Sequence, residues 1–325
     1  MGRIPVFGTI GRAVGFVFSH YLPLLGTLWL PIVAWAAGFF FFFAPFFAVL
    51  QGLAERTAQH LPPADDQMPP ELFRWIGLLN ILFLLVYAMI KVGVAKEALG
   101  LRKGPRFVYF WLGAAEFRVI GAYLILFSLM YISIIAILLS GAAVGAIVYA
   151  AVTGAIQSHI IPQAALGWMA EAAVVIGVVV ALVWCYVAVR LSYLVVPVTV
   201  AEHRFGIYRS WELTKGNFWR IVFISVVVFI PILVVEMIAM ISLMGPILAH
   251  IAMSAGKLPA RGPAQFAPLM KNIPFYAAYG TAAAILFAPI LYGLILSPSA
   301  FAYRALVPIP PEEGATPMMK EGAHP

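Results

Sequence analysis

Charge is scarce in this sequence. Asp, Glu, Lys and Arg together supply 10% of 325 residues, against about a quarter in a soluble domain. So thin a cover of ionic groups excludes a water-facing globular surface, and no stretch is polar enough to form a separate soluble domain. Cysteine occurs once, at Cys185, which excludes an intramolecular disulfide. The six histidines include no pair spaced i, i+4, so the ligand spacing of a metal site is missing. A phosphate-binding glycine loop and a nucleophile elbow are missing as well. These absences predict no cofactor, no metal and no enzymatic activity.

What is abundant is hydrocarbon. Apolar residues make up 63% of the chain and the mean hydropathy is +0.99. A bilayer core requires about 20 apolar residues in helix, and six segments meet that length: 22–44, 75–95, 119–140, 172–196, 221–244 and 275–303. The uncharged run 119–156 would measure roughly 57 Å as one helix, too long for a straight crossing. Breaks are therefore expected at Pro45, Gly141 and Gly245-Pro246. The first run, Leu22 to Leu50, is far longer than the core of a cleaved leader, about 7–15 residues, so it is expected to be retained.

Basic residues orient the spans. Of 20 Lys and Arg residues, all but Arg56, Arg74, Lys257, Arg261 and Lys271 fall on one side. The positive-inside rule makes that side cytoplasmic and puts both termini there. The net charge of +7 is then a matter of topology, and nucleic acid is not an expected partner. The opposite loops, 59–71 and 256–274, are rich in proline, which opposes long helices. Residues 306–325 have the composition of a disordered tail, which leaves 1–305 as a single transmembrane domain.

An internal repeat is legible at the cytoplasmic junctions. Arg12, His20 and Leu24 recur as Arg209, Asn217 and Ile221, always 197 positions on, and Glu116-Phe117-Arg118 stands in a weaker middle copy. Tyr87, Tyr186 and Tyr292 recur late in the even spans. The expected fold is all-α and polytopic, with about six transmembrane helices in three parallel two-span repeats at about 3–95, 104–196 and 206–304. Two crossings per unit preserve orientation, which places the repeat axis along the membrane normal. Each unit would open with a cytoplasmic interfacial amphipathic helix; in the first, Phe7, Ile10, Val14 and Val17 share a face.

The string YRSWELTKGNFWR at 208–220, after RLSYLVVPVTVAEHRFG at 190–206, resembles a bacterial family of six-helix membrane domains. That family is related to the membrane region of glycerophosphodiester phosphodiesterases. The resemblance implies a helical domain in the bacterial inner membrane, near lipid headgroups. The catalytic barrel has no counterpart here, so phosphodiesterase activity is not implied. Three two-span units are also similar in topology to mitochondrial carriers, but their proline–acid–base signature does not follow Pro45 or Pro246.

Two sets of residues are candidates for function. Glu236 lies well inside the fifth span, where an ionisable side chain is costly and marks a site by default. Asn80 lies at a similar depth in the second span and Tyr279 and Thr281 somewhat shallower in the sixth, and the four are expected to line an outward-facing polar cavity that binds a ligand. The plainer reading leaves Glu236 as a polar tie between helices. The second set is expected at the lipid headgroups: Lys91, Arg102, Lys103, Arg106, Arg190, Arg204, Arg209, Trp211, Lys215, Trp219 and Arg220. Long cations near helix ends snorkel to the interface, and aromatic residues collect there. The expected function is that of a non-catalytic integral membrane protein binding or translocating a lipid or small amphiphile. The alternative is an accessory or scaffold subunit packed against a larger membrane protein complex.

Overall fold

A computed structural model describes residues 2–58, 72–102, 112–157, 165–255 and 273–307. Among the described residues all regular structure is α-helical. The helices are α1 (Val6–Ser19), α2 (Tyr21–Ala58), α3 (Leu72–Leu99), α4 (Ala114–Gln157), α5 (Ala165–Ser192), α6 (Val195–Glu202), α7 (Ile207–Leu213), α8 (Phe218–Ala255) and α9 (Ile273–Leu306). Six stretches are long and apolar enough to cross a bilayer: Tyr21–Ala44, Arg74–Leu99, Ala114–Gly154, Glu171–Glu202, Phe218–Ile238 and Ala278–Leu306. They match the segments expected from the sequence, and the chain is a polytopic helical membrane protein.

The expected breaks do not occur. α2, α4 and α8 run through Pro45, Gly141 and Gly245-Pro246 as continuous helices. Leaving the helix inside hydrocarbon would strand backbone N–H and C=O groups at several kcal/mol each. A glycine within the helix costs about 1 kcal/mol and a proline about 3 kcal/mol. Continuing is the cheaper choice. The 44 residues of α4 extend roughly 66 Å, so this helix tilts or projects past a hydrocarbon layer of about 30 Å.

Close packing is concentrated at one end of the bundle. The buried core joins Ile4 and Val17 with Leu24 and Leu28 of α2, Val92, Val94, Ala95, Ala98 and Leu99 of α3, and Val119 and Ile120 of α4. It continues through Val196, Val198 and Val200 of α6, Ile221 and Ile224 of α8, and Tyr303 of α9. Toward the other end most side chains of the helices become exposed. Between Glu171 and Val189 of α5 no residue is buried. The two regions are here the packed end and the open end.

Polar ties close the packed end. Glu116, fully buried at the start of α4, accepts from Lys96 Nζ at 3.0 Å and from the Gly113 N–H at 2.9 Å. Asn217, at the start of α8, accepts the Ile4 N–H and donates to the Gly2 carbonyl, both at 3.1 Å. Arg220 donates to the Ile4 carbonyl at 2.9 Å. Arg102, following α3, reaches the Pro23 carbonyl and Thr27 Oγ1 of α2 and pairs with Glu97 at 3.1 Å. Between α6 and α7 the Gly206 N–H donates to Thr199 Oγ1 at 3.1 Å. A side chain there would start 2.7 Å from the Val195 carbonyl oxygen.

α1 packs against the bundle through residues other than most of the apolar face expected to meet the headgroup region. Thr9, Ala13, Phe16 and Val17 are inside, whereas Phe7 is 80% exposed and Val14 is exposed as well. The reason is a neighbour that periodicity cannot see. α1 lies on α9 at Gly293, where a Cβ would come within 2.6 Å of Val17 Cγ2. Of the expected set, Val17 turns inward and Phe7 meets Phe223 of α8 edge-on at 6.3 Å.

Candidate functional site

A cavity of about 640 Å³ lies between α2, α3, α8 and α9, on the open side of the core. Its wall is largely apolar, with Trp35 and Phe39 from α2, Phe83 and Val86 from α3 and Leu291 from α9. The polar groups in it are Glu236, Thr281, Tyr87 and Tyr292. Glu236 is the one charged residue among the described residues lining it. From the start of α8 it stands roughly 27 Å along the helix, near the far side of a 30 Å hydrocarbon layer.

Two of the four expected ligand-binding residues meet here, Glu236 and Thr281. Asn80 does not line the cavity; it is exposed, and its Nδ2 donates to the Ile76 carbonyl of its own helix at 2.8 Å. Tyr279 is 59% exposed and also lies off the lining. A helical turn of roughly 100° per residue separates Tyr279 from Thr281 by more than half a circle, so depth alone could not place both. Tyr87 and Tyr292 take their places. Sequence reasoning missed these two as site residues; their recurrence late in the even spans, taken only as a mark of the repeat, is the signal that could have found them.

Lys91 and Arg190 correct the interfacial expectation. Both are buried rather than snorkelling. Lys91 Nζ donates to Tyr123 Oη at 2.6 Å and sits 4.2 Å and 3.9 Å from the ring centres of Tyr87 and Tyr123. Tyr87 also faces the cavity, so this ammonium lies directly behind the cavity wall. Arg190 Nη2 donates to the Trp211 carbonyl at 2.7 Å and Nη1 to Tyr186 Oη at 3.0 Å. Its guanidinium lies 3.7 Å from the Trp211 ring centre, a desolvated cation–π contact worth about 2 kcal/mol. Ser210 Oγ and Thr214 Oγ1 donate to the Arg190 carbonyl at 3.0 and 3.3 Å. Aromatic rings and carbonyl dipoles, rather than carboxylates, surround these two cations.

The remaining basic residues sit around the packed end. Glu202 gathers Arg204, Arg209 at 3.5 Å and the Tyr303 hydroxyl at 3.1 Å. Arg209 also pairs with Glu212 at 3.2 Å, and that hydrogen bond raises its pKa further above physiological pH. Arg220 and Arg102 are engaged in the ties already described. Lys215 is exposed. Trp219 is 78% exposed and Tyr208 74% exposed, the amphipathic rings expected at a membrane boundary. Lys103 and Arg106 lie outside the described residues. Among the described residues no three His, Cys, Asp or Glu side chains cluster as metal ligands would.

The arrangement suits binding of an amphiphile. One carboxylate and three hydroxyls can hold a polar head, and the aromatic wall can hold a chain. A comparison with models of known protein families finds no match, and neither a curated protein nor a solved structure is significantly similar to the chain.

Proposed function

We propose that this chain is a non-catalytic membrane protein that binds or translocates a lipid or small amphiphile in the Glu236 cavity. The single observation behind this reading is the cavity itself, about 640 Å³, apolar-walled and with one carboxylate. Ligand sites commonly span about 300–1,000 Å³ with a few placed polar groups. A carboxylate in a largely apolar wall favours an ammonium or a hydrogen-bond donor as its partner, since a charge withdrawn from water is costly unless it is paired. The basic, aromatic packed end would face the cytoplasm of a bacterial inner membrane. There each Lys or Arg contributes about 1 kcal/mol of attraction to anionic lipid.

The threefold scheme belongs to the same proposal. Contacts of one kind recur around the bundle and support it: α2 against α9, α4 against α3 and α8 against α5. The interfacial helices follow suit, with α1 on α9 and α7 on α5. In each case the opening elements of one unit meet the return span of the unit before it, taken cyclically.

A second reading, an accessory or scaffold subunit, draws on the α4–α5 pair. Its apolar flanks, including Leu138, Ile147, Val175 and Leu182, are exposed, and either lipid tails or the spans of a larger complex could cover them. Purification in native-lipid nanodiscs followed by mass spectrometry separates the two readings. A tightly held lipid, lost in Glu236→Gln with the fold intact, supports the cavity reading. A stoichiometric protein crosslinked to α4–α5, with lipid content indifferent to Glu236, overturns it.

A further inference from the structure

A second cavity, of about 350 Å³, lies on the α8–α9 side of the bundle, closer to the packed end. Tyr193, Ser225, Val228, Ile232, Ile295 and Pro298 line it. Ile295 belongs to both cavities and forms the partition between them. Along α8, Glu236 stands roughly 16 Å beyond Ser225. Ser225, Val226 and Phe229 are exposed at the rim, so the second cavity opens sideways, toward hydrocarbon.

Tyr193 is the unusual member of this lining. It occupies the turn between α5 and α6, held by its own N–H to the Val189 carbonyl at 3.1 Å. Its hydroxyl is buried and has no hydrogen-bond partner. A buried O–H left in that state costs about 1–3 kcal/mol, a penalty that phenylalanine would avoid. Such a group calls for an acceptor from outside the chain.

We infer that this cavity is a second station for the amphiphile of the Glu236 cavity, at which Tyr193 Oη donates to a neutral oxygen acceptor, an ester or amide carbonyl of the ligand. The inference rests on the proposed function and specifies its ligand class as an acyl amphiphile. No cation is among the described residues lining the second cavity. A phosphate brought there would lose its hydration without a counter-charge, at several kcal/mol. A carbonyl sits just below the head of an acylated lipid, and needs one donor. Tyr193 is that donor.

The test uses the full-length protein in nanodiscs with two probes, a fluorescent diacyl phosphatidylethanolamine and its dialkyl-ether analogue, which lacks the carbonyls. Wild-type protein is expected to bind the ester at least fivefold more tightly than the ether. Tyr193→Phe should remove that preference and leave ether binding unchanged. With the ester carbonyl labelled with carbon-13, its infrared band should shift to lower frequency on wild-type protein and not on Tyr193→Phe. Equal binding of ester and ether by the wild type, or a preference that survives Tyr193→Phe, overturns the inference. If Glu236→Gln abolishes binding of both probes while Tyr193→Phe changes nothing, the second station alone falls. Binding of neither probe by the wild type removes the proposed function and this inference together.

Discussion

Replacing Arg190 by lysine and by methionine asks whether its charge or its planar fork matters. Lysine conserves the charge; methionine conserves only the apolar stem. The guanidinium donates to the Trp211 carbonyl and to Tyr186 Oη and stacks on the Trp211 ring. Hydrogen bonds from a charged donor contribute about 1.5–3 kcal/mol each, and the stacked contact about 2 kcal/mol. Against them stands the desolvation of a buried cation, several kcal/mol. Methionine gives up the bonds and the desolvation together, for a net loss of about 1–3 kcal/mol. An ammonium keeps the full desolvation but cannot form the fork. Arg190→Lys is therefore expected to lose about 2–4 kcal/mol and to be the worse of the two. Thermal unfolding in one detergent, followed by circular dichroism and by tryptophan fluorescence, measures both. If lysine keeps the wild-type midpoint while methionine lowers it, the cation serves the membrane surface electrostatically. The reading of Arg190 as a clamp between α5 and α7 would then be wrong.

Three further outcomes follow from the packing. Lys91→Met should be neutral or stabilising by about 1–4 kcal/mol, because no carboxylate is left behind when the ammonium goes; a large drop in melting temperature would contradict the aromatic cage as its main environment. Gly206→Ala should cost about 1–3 kcal/mol, since the new methyl meets a backbone oxygen at 2.7 Å rather than a mobile side chain; detergent-solubilised yield and melting midpoint should both fall, and an unchanged midpoint would refute the tight α6–α7 approach. Asn217→Ala removes both bonds to the Gly2–Ile4 segment, about 1–2 kcal/mol, and limited proteolysis should then cut the N-terminal segment faster than in the wild type.

The number of spans was legible because hydrocarbon imposes a minimum length and forbids charge, and so were the limits of the first two. Tyr21–Ala44 and Arg74–Leu99 fall within a few residues of the runs read from composition. Helix continuity was not legible at Gly141 or Pro45, since these residues break helices in water for reasons that lapse in lipid. The burial of Lys91 and Arg190 was hidden for a related reason. A cation near a helix end has snorkelling as its default, and only the aromatic partners on other helices, Tyr123 and Trp211, draw it inward. Glu236 and Thr281 reach one cavity, as depth suggested, whereas Asn80 and Tyr279 share that depth on other faces. Depth is a one-dimensional coordinate, and a site also needs azimuth.

The docking of Gly2–Ile4 on Asn217 and Arg220, with α1 on α9, has a consequence for biosynthesis. The ribosome releases α1 long before its seat exists, because α8 and α9 follow it in the chain and α8 begins only at Phe218. Until then α1 must wait at the membrane surface with Ala13, Phe16 and Val17 uncovered. Its docking therefore waits on the synthesis of α8 and α9, and nascent chains truncated before α8 would have nowhere to put it.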